Sequence, residues 1–390
     1  MKLNKLLLIL LIMGVYFVST GLGYFVFAVT GATSSEDPTN MNLQNGQTGN
    51  DYEALVFDES KAKTEVCPLS GVKYSKEQKD WWEKHRPLGV MVENHSEARP
   101  QSGINMADVT YEAVAEGGIT RFLNIYYCQD AGIVGPVRSA RVYFLDYISE
   151  YGNYPLYAHV GGANTPGPAN ALGQIADMDW VGYNDLNQFS LGLPTFWRDE
   201  KRLGRSVATE HTMYSTTSKL WEAAKKRGLT EKEEDGEMWD EEFEPYNFKD
   251  DNPSTGAQSI EVVYWEGYNS YYVNWTYSAK DNVYLRKNGG EVHNDRNTKK
   301  QLAAKNIVAL FMAESNANDG YENNLHLLYK TTGSGKAKVF MDGEEISATW
   351  RKASRSTRTK LFTADGSEIE FNKGKTWFHI LPLEGIAAAR

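Results

Sequence analysis

The amino-acid sequence predicts an α+β fold, with a mixed α/β N-terminal domain and a mainly β C-terminal domain. Three observations predict it. Between residues 67 and 229, short apolar runs alternate with stretches of helical spacing. Between residues 258 and 390, the apolar runs are strand-length and are punctuated by the turn pairs Asn288-Gly289, Asp342-Gly343 and Asp365-Gly366. Parting the two regions is a stretch, 230–257, that reads as an acidic, solvated linker. Of 390 residues, 41% are hydrophobic and 12% aromatic, enough for a substantial core.

The chain opens with Lys2 and Lys5, and no charged residue follows until Glu36. The apolar run over 6–29 is long enough to cross a hydrocarbon core of ~30 Å as a helix. A cleavable signal has a shorter apolar region, and only Thr30-Gly31-Ala32 offers a weak cleavage site, so the reading is a retained transmembrane anchor or uncleaved signal. The lysines place residues 1–5 in the cytoplasm and the bulk of the chain outside a single-pass membrane helix. Residues 30–66 are rich in Asn, Gln, Gly, Thr, Ser and acids, and read as a flexible tether.

Within the N-terminal domain, 67–229, strands are expected at 88–93, 119–127 and 156–160, the last running into Gly161-Gly162. Residues 109–115 fit either strand or helix. Pro136 is placed to open a helix through Tyr151. Residues 216–227 read as a helix with Leu220, Ala223 and Ala224 inward, ended by Gly228. The segment 231–251 holds eleven acids against Lys232 and Lys249, a balance of −9 that accounts for most of the net charge of −10. In the C-terminal domain, 258–390, strands are expected at 259–265, 271–277, 283–287, 307–312, 326–331, 336–341, 345–350, 361–362, 368–371 and 376–381, with a short helix at 299–305.

Two cysteines, Cys67 and Cys128, stand outside the membrane in this reading, where pairing is open to them. No CxxC or HExxH occurs and the seven histidines show no metal-ligand spacing, so neither metal nor cofactor is expected. Nothing resembles a basic nucleic-acid footprint.

The chemistry-bearing residues concentrate in 86–143, where arginines, acids and turn glycines fall within predicted core. Buried charge is expensive unless paired. Glu112 and Glu116, four apart, share a face in either periodicity. Arg138 and Arg141 fall in the first turns of a predicted helix, where the dipole favours anions, and so call for a negative partner. The partner is Glu112 or Glu116 in an ion-pair cluster, which we favour, or a bound carboxylate or phosphate. Arg121 stands on the neighbouring strand and can join either. His159, at a strand end before a glycine pair, suits a general acid/base oriented by Asp146 or Asp185, although a lone histidine is more often structural. Arg198, Arg202 and Arg205 with Trp197 form a basic, aromatic loop, and His211 completes the candidate set.

The strings RPLGVMVENH, ARPQSG, ADVTYEAVAEGGITRF, GPVRSAR and HVGGA resemble the YerB-like family of bacterial envelope proteins. The match continues through Phe196-Trp197-Arg198-Asp199, Arg205 and 211–214. A second domain is matched by YLRKNGGEVHNDRNTKKQLAAKNIVAL, GKAKVFMDGEEISATWRK and GSEIEFNKGKTWFHILP. The resemblance covers nearly everything after Cys67. It implies an exported, two-domain envelope protein, often lipid-anchored, of no agreed activity. This chain lacks the lipid-bearing cysteine and carries a helix in its place. Where the related pattern is Pro-His-Asn, it has Glu210-His211-Thr212.

The expectation is a membrane-tethered extracytoplasmic protein that binds a wall polymer, a peptide or another envelope protein. The alternative is a cell-wall-directed hydrolase or transferase, with Glu112, Glu116, His159 and Arg138 as acid/base and charge-stabilising groups. An open cleft for the charged groups favours a ligand site; full pairing beneath the surface favours a scaffold.

Overall fold

The computed structural model describes residues 53–390 apart from Glu234, Ala257 and Gln258, and of Asn324 only the backbone. The cytoplasmic N-terminus at 1–5, the apolar run at 6–29 and most of the tether lie outside the described residues. Among the described residues, no helix is long and apolar enough to cross a membrane.

The protein is α+β with strands predominating. Ten strands form one mixed sheet, in the order Lys360–Phe362, Glu344–Lys352, Gly333–Met341, Asn306–Met312, Thr376–Pro382, Val109–Glu116, Ile119–Tyr126, Leu88–Glu93, Leu156–His159, Asp185–Asn187. The first five come from the C-terminal region and the last five from the N-terminal one. They meet where Thr376, Trp377, Phe378 and His379 pair in parallel with Val109, Thr110, Tyr111 and Glu112. Asn306–Met312 and Thr376–Pro382 are covered on both faces, which explains their nearly unbroken apolar sequences.

A second sheet runs Glu291–Val292, Val283–Asn288, Val273–Ser278, Ser259–Val263, Ile386–Ala389, with Ala303–Ala304 also paired to Val283–Asn288. It lies on one face of the large sheet, where Trp275 meets Trp377 edge-on at 5.2 Å. On the other face the helix Val142–Ile148 stacks Tyr147 on Tyr111 at 4.7 Å. The result is a three-layer stack of helix, ten-stranded sheet and six-stranded sheet.

Local chemistry explains the elements. Helix Thr217–Lys226 starts where the Thr216 hydroxyl accepts from the Lys219 N–H, and it buries Leu220, Trp221, Ala223 and Ala224. In the hairpin joining Val283–Asn288 to Glu291–Val292, the two turn residues are Gly289 and Gly290, both at positive φ, one position beyond the expected Asn-Gly pair. A Cβ on Gly289 would meet the Ser270 carbonyl oxygen at 2.8 Å.

Several expectations are corrected. Residues 136–141 are extended, not helical. The Val137 N–H donates to the Met213 carbonyl, the Arg138 N–H to Met91, and the Arg138 carbonyl accepts from Val160, so neighbouring segments outbid an i→i−4 ladder. The helix begins at Val142, with Arg141 as its N-cap. The helix expected at 299–305 is a turn, with Lys299 at φ 58° followed by the paired Ala303–Ala304. The tether reading extends too far toward residue 66: Lys63–Val66 pairs with Lys73–Ser75, Phe57 packs on Trp81, and the Leu55 N–H donates to Asp130.

The acidic segment is a strap as well as a connection. Asp235, Glu237, Asp240, Glu241, Glu242, Glu244, Asp250 and Asp251 are exposed, while Trp239 is buried and Phe243, Tyr246 and Phe248 pack on the core. Arg86, wholly buried, clamps this strap by donating to the carbonyls of Thr230 and Lys232. Cys67 and Cys128 form a disulfide with Cα atoms 6.0 Å apart.

Candidate functional site

The expected single cluster is divided into four. The most enclosed is at the interface of the two sheets. Glu112 and Arg286 both have 0% side-chain exposure and pair at 2.9 Å. Glu112 Oε1 also accepts from Thr120, and Oε2 accepts from Trp377 Nε1. The Arg286 guanidinium lies over Trp377 at 4.6 Å and Trp275 at 5.3 Å, and its Nε donates to His293 Nδ1. That bond leaves His293 Nε2–H to donate to Gln101 Oε1 at 2.7 Å. Burial, reinforced by Arg286, pushes the His293 and His379 imidazoles well below their usual range and keeps both neutral. Glu112 therefore pairs with neither Arg138 nor Arg141 but with an arginine 174 residues away.

Glu116 pairs with Arg141. It does not share a face with Glu112, because a bulge between Val114 and Glu116 breaks the two-residue alternation. Glu112 meets the six-stranded sheet, and Glu116 meets the N-cap of the helix on the opposite face. Arg121 is buried and donates to the Ser139 carbonyl at 2.8 Å. Burial, then Arg138, pushes its guanidinium down to about 10.

A third group surrounds Glu93. Arg138 Nε lies 3.3 Å from Glu93 Oε1, and His211 Nδ1 lies 2.8 Å from Oε2. Burial works to raise the Glu93 carboxyl, but the His211 and Arg138 contacts outweigh it and hold the group below its ordinary range. The same hydrogen bond raises His211. His95 stacks on His211 at 4.7 Å, and Glu97 lies 3.6 Å from His211 Nε2. Arg205 joins from outside by donating to the Glu97 carbonyl. Glu93, His95 and Glu97 were not among the sequence candidates; they flank the turn of the NHSEARPQSG string, and only their proximity to residue 211 marks them.

The fourth is His159, with 0% exposure, whose Nε2 lies 2.6 Å from Asp185 Oδ1 and Nδ1 2.7 Å from the Gly161 carbonyl. Asp185, on the adjacent strand, is its partner; Asp146 instead accepts from Arg355 at 2.7 Å. Arg198 and Arg202 stay apart from these groups: Arg198 donates to Thr212, and Arg202 to Ser102 and Asn297.

An open groove of about 400 Å³ lies where the turn after Leu88–Glu93 meets the glycine hairpin of the second sheet. Ser96, Arg99 and Pro100 form one wall; Ser270, Asn288, Gly289 and Glu291 through Asn294 form the other. Arg99 Nε and Nη2 donate to Asn94 and to the Ser270 carbonyl. Burial, then Arg286, pushes this guanidinium down to about 10. Among the described residues, no carboxylate stands within 4.0 Å of Arg99, and no sequence spacing foretold this juxtaposition.

Residues 69–230 match the family described as "Protein of unknown function (DUF3048) N-terminal domain", and residues 260–378 match its C-terminal domain. A relative from Bacillus subtilis, named "Putative lipoprotein YerB", is 30% identical over 322 residues, covering 82% of this chain and 87% of the relative. The crystal structure of YerB protein from Bacillus subtilis aligns with a TM-score of 0.67 at 27% identity, over 83% of this chain and 100% of that one. The groove and the Glu112–Arg286 pair both lie between the two matched segments, and on this sequence and structural likeness the chain belongs to the YerB-like family of two-domain proteins.

Proposed function

We propose that the protein is a membrane-tethered, extracytoplasmic envelope protein whose groove binds an anionic wall polymer. The apolar run at 6–29 supplies the tether. The relative's name, a lipoprotein, agrees with attachment at a membrane surface, and Cys67 is held in the disulfide with Cys128.

The observation that carries the reading is Arg99, a half-buried guanidinium lining an open trough and bonded to neutral oxygens only. A carboxylate or phosphate on the ligand is the partner this arrangement lacks. The hydroxyl and amide groups of Ser96, Ser270, Asn288 and Asn294 suit the polar repeat of a glycan or polyol chain. The trough is open between two exposed turns, which suits a polymer crossing the surface. Glu112 and His159, candidates for acid/base work, are enclosed and partnered, and this supports binding over hydrolysis or transfer.

The test is co-sedimentation of the full-length chain with purified bacterial cell walls. Wild type is expected to sediment, less so as salt is raised. Arg99→Gln, and Ser96→Trp at an exposed position of the wall, are expected to lower the bound fraction severalfold. Unchanged sedimentation of both variants overturns the reading.

A further inference from the structure

The turn that forms one wall of the groove also carries His95 and Glu97, whose side chains meet His211. Their ligand atoms all lie within 4.8 Å of one another. We infer that His95, Glu97 and His211 form a binding site for a divalent transition-metal ion of the zinc class, with Glu93 orienting His211 from behind.

The geometry is near that of a coordination shell. Bonds of ~2.0 Å in a tetrahedral zinc site set ligand atoms roughly 3.3 Å apart. His211 Nε2 and Glu97 Oε2 stand 3.6 Å apart. The Glu97 side chain is 52% exposed and free to close on an ion, and the His95 ring has to turn toward it.

Behind the first ligand is the partner that metal-binding histidines ordinarily have. His211 Nδ1 donates to Glu93 Oε2 at 2.8 Å, which leaves the Nε2 lone pair facing Glu97. Arg138 in turn holds the other Glu93 oxygen. His95 is stacked on His211 with ring planes 11° apart, so the in-plane lone pairs of the two rings run side by side, and the His95 ring must swing out of the stack to reach an ion held by His211. His95 Nδ1 accepts from the Glu97 N–H at 3.2 Å, a cap on an exposed three-residue turn. Redirecting that ring to an ion releases only an N–H that water can reach.

Two imidazoles and one carboxylate suit zinc or its neighbours, and are too nitrogen-rich for calcium or magnesium. Solvent access beside Glu97 leaves the fourth position to water or to a ligand atom. Arg138 and Arg205 oppose a cation here, and Glu93 and Glu97 offset them. The site has no sequence signature because residues 95 and 97 are joined to 211 only by the fold.

The test is calorimetric titration of the full-length, chelator-stripped chain with Zn²⁺ alone. One saturable ion per chain is expected. Glu97→Gln and His95→Ala, on the exposed turn, are each expected to weaken it severalfold or more. Glu93→Gln, which removes the carboxylate behind His211, is expected to weaken it by about 10–100-fold. His326→Gln, at a histidine paired with Asp319 elsewhere, is expected to leave it unchanged. Absence of a saturable site in wild type overturns the inference, as does stoichiometric binding that survives the His95→Ala/Glu97→Gln double variant. The inference is separate from the groove reading, because the titration uses no wall material and Ser96→Trp leaves all three ligands in place.

Discussion

Arg286→Met is the sharpest probe of how the two segments hold together. Methionine keeps much of the apolar stem that packs between Trp275 and Trp377 but removes the guanidinium. Glu112 keeps its bonds from Thr120 and Trp377 and loses the charge that compensates it at 0% exposure. Breaking a buried pair from one side costs about 3–5 kcal/mol, a large share of a typical ~5–15 kcal/mol stability. The double variant Glu112→Gln/Arg286→Met removes both charges while the amide oxygen still accepts from Trp377, and it is expected to regain at least half of the loss. Urea unfolding of Arg286→Met, Glu112→Gln and the double variant, followed by tryptophan fluorescence, gives the cycle. A loss below about 1 kcal/mol in Arg286→Met, or a double variant as unstable as the sum of the singles, would refute the reasoning.

Three further outcomes are expected. Burial raises the Asp108 carboxyl to about 6, against hydrogen bonds from the N–H groups of Cys128 and Tyr127. A folded pKa above the unfolded value of ~3.9 means that this group's contribution to stability is fully present below pH 4 and is lost as pH rises through 6, so Asp108→Asn is expected to flatten that limb and gain on the order of 2–3 kcal/mol at pH 8; parallel unfolding curves for both proteins at pH 4 and 8 check this. Replacing Cys67 and Cys128 with serine opens a loop of 61 residues and is expected to cost about 4 kcal/mol, read from the urea midpoint. Proteolytic nicking at the exposed acids near Asp235 is expected to leave the halves together on size exclusion, because Thr376–Pro382 pairs with Val109–Glu116; release of two separate fragments would count against the shared sheet.

Most of the expected strands and the helix at 216–227 were legible because one local signal governs each, whereas 109–115 fitted either periodicity and is the strand Val109–Glu116. Thr216, the Leu220/Ala223/Ala224 spacing and Gly228 bound one helix, and Thr217–Lys226 is that helix. Asp342-Gly343 is the turn between Gly333–Met341 and Glu344–Lys352, with both residues at positive φ. Residues 136–141 misled because proline's preference for a helix start is weaker than the backbone partners that Met91, Met213 and Val160 supply. The bulge before Glu116 is likewise invisible to a period-two count. The site was least legible because its pairs join distant positions: 112 with 286, 93 with 211, and Arg99 with the 288–294 hairpin. Charge density in 86–143 draws attention to that region, but nothing in it names a partner 174 residues away, as Arg286 is from Glu112.

The parallel seam between Val109–Glu116 and Thr376–Pro382 also dictates an order of events during synthesis. The N-terminal strands emerge first, and Val109–Glu116 pairs at once with Ile119–Tyr126 on one side only. Its other edge has no native neighbour until nearly the last residues have been synthesised. Sequence-distant pairing of this kind is slow, and an apolar strand edge left open invites other chains. A chain truncated before residue 376 therefore exposes the middle of a ten-stranded sheet to its surroundings, and folding of the intact chain must outrun or shield that exposure.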